Sequence, residues 1–105
     1  MSRIDPLKDM LRSRPGDTRL RFGLALEYLR QGLREEGVDE LRRYLDMADD
    51  EGNAWGRLGA TLAELGREDE ARTAYRSGIA AALRHGHPTM AAEFEEALEE
   101  LDGSG

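Results

Sequence analysis

The stretch NAWGRLGATLAELGREDEARTAYRSGIAA, residues 53 to 81, decides how the whole chain is read. Trp55, Leu58 and Leu62, then Tyr75 and Ile79, recur at three- and four-residue spacings, the period of helices that bury one side. Gly66 breaks that period where a left-handed residue is needed to end a helix. Glu68, Asp69 and Glu70 follow it, and acids at the start of a helix are favoured by its dipole, typically by about 0.3 to 1 kcal/mol each. The stretch therefore reads as two helices joined by a tight turn.

Shifting the chain by 34 residues shows the same order of side-chain sizes upstream. Leu24 aligns with Leu58, Ala25 with Gly59, Tyr28 with Leu62, Gly32 with Gly66, Gly37 with Ala71, Leu41 with Tyr75 and Leu45 with Ile79. Size class is what must recur, because large side chains on one helix need small ones on its neighbour. The first pair of helices is expected at about Thr18 to Gln31, capped by Asp17, and Glu35 to Ala48. The second is expected at about Asn53 to Leu65 and Glu68 to His85.

Outside the repeats, Asp5 as cap and Pro6 as first helical residue predict a short helix whose Ile4, Leu7, Met10 and Leu11 cover the first repeat. Pro88 opens a last helix in which Met90, Ala91, Phe94, Ala97, Leu98 and Leu101 form an apolar side that covers the second. With two extra residues allowed near His85, Gly86 and His87, this helix matches the first helix of a repeat, Ala91, Phe94 and Leu98 aligning with Trp55, Leu58 and Leu62. The expected layout of this single domain is a capping helix over 4–14, repeats over 18–51 and 52–87, a second capping helix over 88–102 and a flexible tail over 103–105.

Composition narrows the function. The 105 residues contain no cysteine, so neither disulfides nor thiolate chemistry is available. Met1 to Leu11 carries acids and lacks the apolar run of a secretory leader, and no segment approaches the roughly 20 apolar residues of a membrane span. A cytoplasmic location is expected by default. The net charge is -7, yet residues 1 to 92 hold all 15 basic groups against 16 acidic ones. The other six acids are Glu93, Glu95, Glu96, Glu99, Glu100 and Asp102. They make this acidic protein's last helix a negative rod, which disfavours nucleic acid and anionic membranes as partners.

Taken together, these residues resemble the tetratricopeptide repeat family, a helical repeat with a 34-residue period whose pattern runs tryptophan, leucine and glycine, tyrosine, then alanine and an aromatic. The second repeat supplies Trp55, Leu58, Gly59, Leu62, Ala71 and Tyr75. The first supplies Leu24, Ala25, Tyr28, Gly37 and Leu41, with Arg21 where the tryptophan belongs. Asp49 and Leu83 stand where the family has its closing proline. The resemblance implies an all-α fold, a right-handed superhelical stack of antiparallel helix pairs with five to six helices.

It also implies a scaffold or adaptor whose first helices line a concave groove for a peptide or helix of a partner protein. The matching positions are Arg19, Phe22, Leu26, Leu29 and Arg30 in the first repeat and Asn53, Gly56, Arg57, Ala60, Ala63 and Glu64 in the second. Glu93, Glu96 and Glu100 follow on the last helix. Phe22, Leu26 and Leu29 would hold an apolar anchor, small Gly56 and Ala60 would give its backbone room, and the glutamates would meet basic groups. In the competing reading Phe22 and Leu26 pack beneath the N-terminal helix and the glutamates are a solvated face. Some family members clamp a chaperone's C-terminal carboxylate with lysine and asparagine; Phe22, Leu26, Gly56 and Ala60 occupy those places, which disfavours that ligand.

Other chemistry has little support. Trp55, Tyr75, Tyr28 and Tyr44 fall on packing positions. His85 and His87 lack further metal ligands at their spacing. Pairs such as Glu95 and Glu99 have no nucleophile or cleft beside them, and the glycines follow no strand that would make a phosphate loop. No catalytic residue, metal or cofactor is expected. Besides protein binding, self-assembly through the terminal helices as a homodimer is the alternative.

Overall fold

The computed structural model describes residues 2–103. Among them are six α-helices and no strand: α1 (Ile4–Ser13), α2 (Thr18–Arg30), α3 (Arg34–Met47), α4 (Asn53–Glu64), α5 (Glu68–Arg84) and α6 (Pro88–Gly103). The helices fall into two compact units that divide between Ala48 and Asp49.

In the first unit α1 begins earlier than its proline suggests. The cap position is Arg3, whose side chain makes no capping bond, so Asp5 lies inside the first turn rather than before it. The carbonyl of Arg3 accepts from Leu7 N at 3.1 Å, and Pro6, having no donor, loses nothing there. Leu7 and Leu11 are buried against Leu24, flanked by Ile4, Leu20 and Tyr28; Met10 stays exposed. The α1 helix thus lies on the stripe that Leu20, Leu24 and Tyr28 make at four-residue steps, and not on Phe22 and Leu26. Asp17 caps α2, accepting from Arg19 N at 3.0 Å and Leu20 N at 3.1 Å.

The α2–α3 and α4–α5 turns are built alike, which is the structural form of the 34-residue period. Gly32 and Gly66 adopt φ of 80° and 76°, values that cost other residues about 1 kcal/mol or more. Across these turns Leu33 N donates to Tyr28 O and Arg67 N to Leu62 O, both at 2.9 Å, closing each helix with the six-residue hydrogen bond of a Schellman turn. The same bond, His87 N to Ala82 O at 2.7 Å, ends α5 at Gly86. Each turn sends the next helix back along the previous one. Ala25, Val38 and Leu41 are buried in the first hairpin, and Leu58, Leu62, Ala71, Ala74 and Tyr75 in the second.

In the second unit the start of α4 is held by a residue outside the helix. Asp50 accepts from Gly52 N and Ala54 N, both at 2.9 Å. The α6 helix then lies on the hairpin with Ala91 buried and Phe94 half-buried. Phe94 occupies a recess that two glycines make: a Cβ at Gly56 would stand 2.5 Å from its ring and one at Gly78 would stand 3.0 Å away. Phe94 thus reaches both helices of the hairpin. Gly103 is the last residue of α6, while Ser104 and Gly105 of the expected tail lie outside the described residues.

Candidate functional site

Within the first unit the residues assigned to a groove do not behave alike. Arg19 is exposed at the start of α2, and Leu26 is half-buried on its side. Phe22, also half-buried, packs on Tyr44 of α3 with ring centroids 4.9 Å apart. Leu29 is turned toward α3, where its Cδ2 and Cγ fill the space left by Gly37, so part of its apolar surface is spent inside the hairpin. Arg30 is exposed but engaged: its Nε donates to Glu27 Oε2 at 3.1 Å and a second nitrogen donates to Oε1.

Glu27 is a charged group in a buried place, only 6% exposed. Besides Arg30 it accepts from the Arg3 backbone N–H at 3.2 Å and from Gln31 Nε2 at 3.3 Å. The Arg30 hydrogen bond, opposed by burial and assisted by those of Arg3 and Gln31, brings its pKa from 4.5 to about 2. A depressed folded-state pKa stabilises the fold fully above the unfolded value, and that stability is lost as the pH falls through the folded one. The tie between α1 and the end of α2 should therefore weaken from about pH 4.5 toward pH 2. In thermal melts followed by circular dichroism, Glu27→Gln should be less stable than wild type at neutral pH, and the difference should shrink from about pH 4.5 and close as the pH falls through about 2. A constant difference across that range would show that the carboxylate charge is not what holds the helices.

In the second unit the division between faces is cleaner. Along α4, Ala54, Leu58, Gly59, Thr61 and Leu62 are buried, whereas Asn53, Arg57, Ala60 and Glu64 are exposed. On α6, Glu93, Glu96 and Glu100 are exposed and Ala97 is half-buried. One expectation is corrected: the room at Gly56 is filled by Phe94, so no partner backbone can enter there. Trp55 is half-buried, with its Cβ against Gly78 of α5. His85 and His87 pair with carboxylates of the segment before α4, His85 with Asp49 at 3.1 Å and His87 with Glu51 at 2.5 Å. Asp49 also accepts from Arg84 at 2.7 Å. These bonds hold both carboxyls below their usual range, Arg84 contributing most at Asp49 and His87 most at Glu51.

Sequence reasoning missed the ion pair in the first hairpin. Arg21, at the position of Trp55, donates to Glu40 Oε2 at 2.9 Å, with side chains 16% and 8% exposed. Arg43 binds the other Glu40 oxygen, and a second Arg21 nitrogen donates to Pro15 O at 3.3 Å. Among the described residues the buried Arg21 Nε has no partner. The signal was present in Arg21 itself, a cation at a packing position that needs a buried anion across the hairpin.

Repeated helical hairpins closed by the same turn, with a packed side and an exposed side on each first helix, define a helical-repeat protein. The comparisons identify the repeat. The tetratricopeptide repeat model matches residues 2–83, and the chain belongs to the tetratricopeptide repeat family. It is 31% identical over 99 residues to the TPR repeat-containing protein PA0015 of Pseudomonas aeruginosa, covering 94% of each chain. It is also similar to protein BPP2914 from Bordetella parapertussis, known from a solution structure, with a TM-score of 0.83 and 30% identity over 99% of this chain and 90% of that one. Membership makes the chain a protein–protein interaction module, in a family whose proteins are generally adaptors without enzymatic activity. No helix among the described residues is long and apolar enough to cross a membrane.

Proposed function

We propose that the protein is an adaptor that holds a peptide or helix of a partner protein on its first helices, α2, α4 and α6. The observation that carries this reading is the division of faces on α4. Asn53, Arg57, Ala60 and Glu64 are withheld from the hairpin core while Ala54, Leu58, Gly59, Thr61 and Leu62 are buried in it. On α2, Arg19 and half-buried Leu26 would contribute in the same way, and on α6 Glu93 and Glu96. Phe22 and Leu29, partly spent on Tyr44 and Gly37, would form the floor rather than the contact itself, and Arg30 would act with Glu27 attached. Leu26 in the first unit would give an apolar contact and the glutamates of α6 in the second a negative one, which favours a partner segment carrying both apolar and basic residues.

The alternative, assembly of a homodimer through the terminal helices, needs free apolar faces on them. Leu7 and Leu11 are buried in the first unit, and Ala91 in the second, where Phe94 also packs. Partner binding therefore stands first. The test is capture from cells of the source organism, read by mass spectrometry, with Leu26→Glu/Arg57→Glu beside wild type and Arg76→Glu, at an exposed position of α5, as control. A partner retained by wild type and the control but lost by the double variant is the expected result. Equal retention by all three proteins moves the site off α2 and α4. Sedimentation at several concentrations should give one monomer mass; a mass that grows with concentration favours assembly.

A further inference from the structure

On the second unit a depression of about 360 Å³ lies among α4, α5 and α6, lined by Ala63, Tyr75, Ala97, Glu100 and Leu101. Its walls are apolar except at two points. One is the Glu100 carboxylate at the rim, on an exposed residue. The other is Tyr75, only 8% exposed, whose ring is fixed between Gly59 and the Phe94 ring, 5.9 Å away between centroids. The Tyr75 hydroxyl makes no hydrogen bond among the described residues and opens onto the depression, where it is free to accept one. Burial, and after it the negative fields of Glu100 and Glu64, push its pKa up; it stays protonated and keeps lone pairs to offer.

These features select a ligand. An anion would meet two carboxylate fields, and a purely apolar group would cover the hydroxyl without satisfying it, at a cost comparable to a lost hydrogen bond. A cation on an apolar stem fits both the walls and the two oxygens. Arg72 of α5, which donates to Leu101 O at 3.5 Å, is already engaged by Asp102 at 2.8 Å and Asp69 at 2.9 Å. No residue of α6 is basic.

Resting on the partner-binding reading above, we infer that this depression takes an arginine side chain of the partner, its stem against Ala63, Ala97 and Leu101 and its guanidinium between Glu100 and the Tyr75 hydroxyl. Arginine is chosen over lysine because its planar fork reaches two separate acceptors at once.

The assignment is tested without the partner, by titrating the full chain with N-acetyl-arginine amide and following backbone and methyl NMR shifts. Saturable shifts at Ala63, Tyr75, Ala97 and Leu101 are expected, with affinity on the order of millimolar. Glu100→Gln should weaken binding about tenfold, the loss of one charge-assisted hydrogen bond. Tyr75→Phe should weaken it severalfold, and Ala97→Leu, which fills the space, should abolish it; wild-type-like spectra of the free variants show that each is folded. N-acetyl-norleucine amide, with the stem and no charge, should not saturate. Shifts spread over all surface carboxylates, equal binding of norleucine or of N-acetyl-lysine amide, or indifference to Ala97→Leu would each overturn the assignment. Partner capture that survives Ala97→Leu would leave the adaptor reading standing and remove this pocket from it, whereas arginine binding with no captured partner would do the reverse.

Discussion

A chain ending at His87 should lose the cooperative thermal unfolding of its second unit. The hairpin of α4 and α5 has glycines at Gly56 and Gly78 where the first hairpin has Phe22 and Tyr44, 34 residues earlier. In the first hairpin those two rings close the space between the helices themselves. In the second the space is closed only when the Phe94 ring enters it from α6. Without α6 the glycine recess opens to water, and Tyr75 and Ala82 lose the cover that Phe94 and Met90 provide around Gly56, Gly78 and Gly52. A repeat buries its apolar side only by stacking on a neighbour, and here that neighbour is α6. Phe94→Ala is the milder form of the same experiment. It should cost about 3 kcal/mol, at the lower end for removal of a packed ring because Phe94 is only half-buried. That would lower the melting temperature by about 15 °C for a chain of this size. A truncated chain that melts sharply at the wild-type temperature would show that the hairpin closes without its plug.

The second large effect lies in the first hairpin. Glu40→Ala should destabilise the protein by about 3 kcal/mol, because it leaves the Arg21 guanidinium buried without a counter-charge. The 34-residue period supplies the rescue. Arg21 and Glu40 correspond to Trp55 and Ala74, the latter buried in the second hairpin. The double variant Arg21→Trp/Glu40→Ala, which copies that solution, should recover wild-type stability or exceed it, since a buried ion pair is often no more stable than the apolar packing that can replace it. Urea denaturation of the three proteins decides. A loss at Glu40→Ala no larger than that at an exposed glutamate, or a double variant as weak as the single one, would mean that the pair is not desolvated as its burial indicates.

Much of the fold was legible because its punctuation is local. Gly32, Gly66 and Pro88 end or begin helices through their own backbone restrictions, and Asp17 caps through an oxygen three residues from the amide it binds, so their neighbours in sequence were enough to place α2 to α6. Asp5 was misread for the same reason: the capping pattern around Pro6 is genuine, but Leu7 N finds the Arg3 carbonyl and the helix starts a residue before it. The candidate site was less legible because it depends on which side chains meet across helices. Period assigns Leu29 to the same row as Leu26, and only the small Gly37 opposite draws it inward. Gly56 looked like space for a partner until Phe94, 38 positions later, was found in it. The Asp50 cap of α4 and the Arg21–Glu40 pair involve reach that no helical period encodes.

The way each hairpin is filled also gives the chain a fixed order. A gene rearrangement that exchanged the two 34-residue stretches would set Phe94 beside Phe22 and Tyr44, which offer it no opening, and would leave the pair of glycines uncovered upstream. Duplication would succeed only where each new glycine-bearing copy arrives with a ring to enter it. Of the two stretches, the one containing Phe22 and Tyr44 is thus the portable module, and the other is fitted to a single successor.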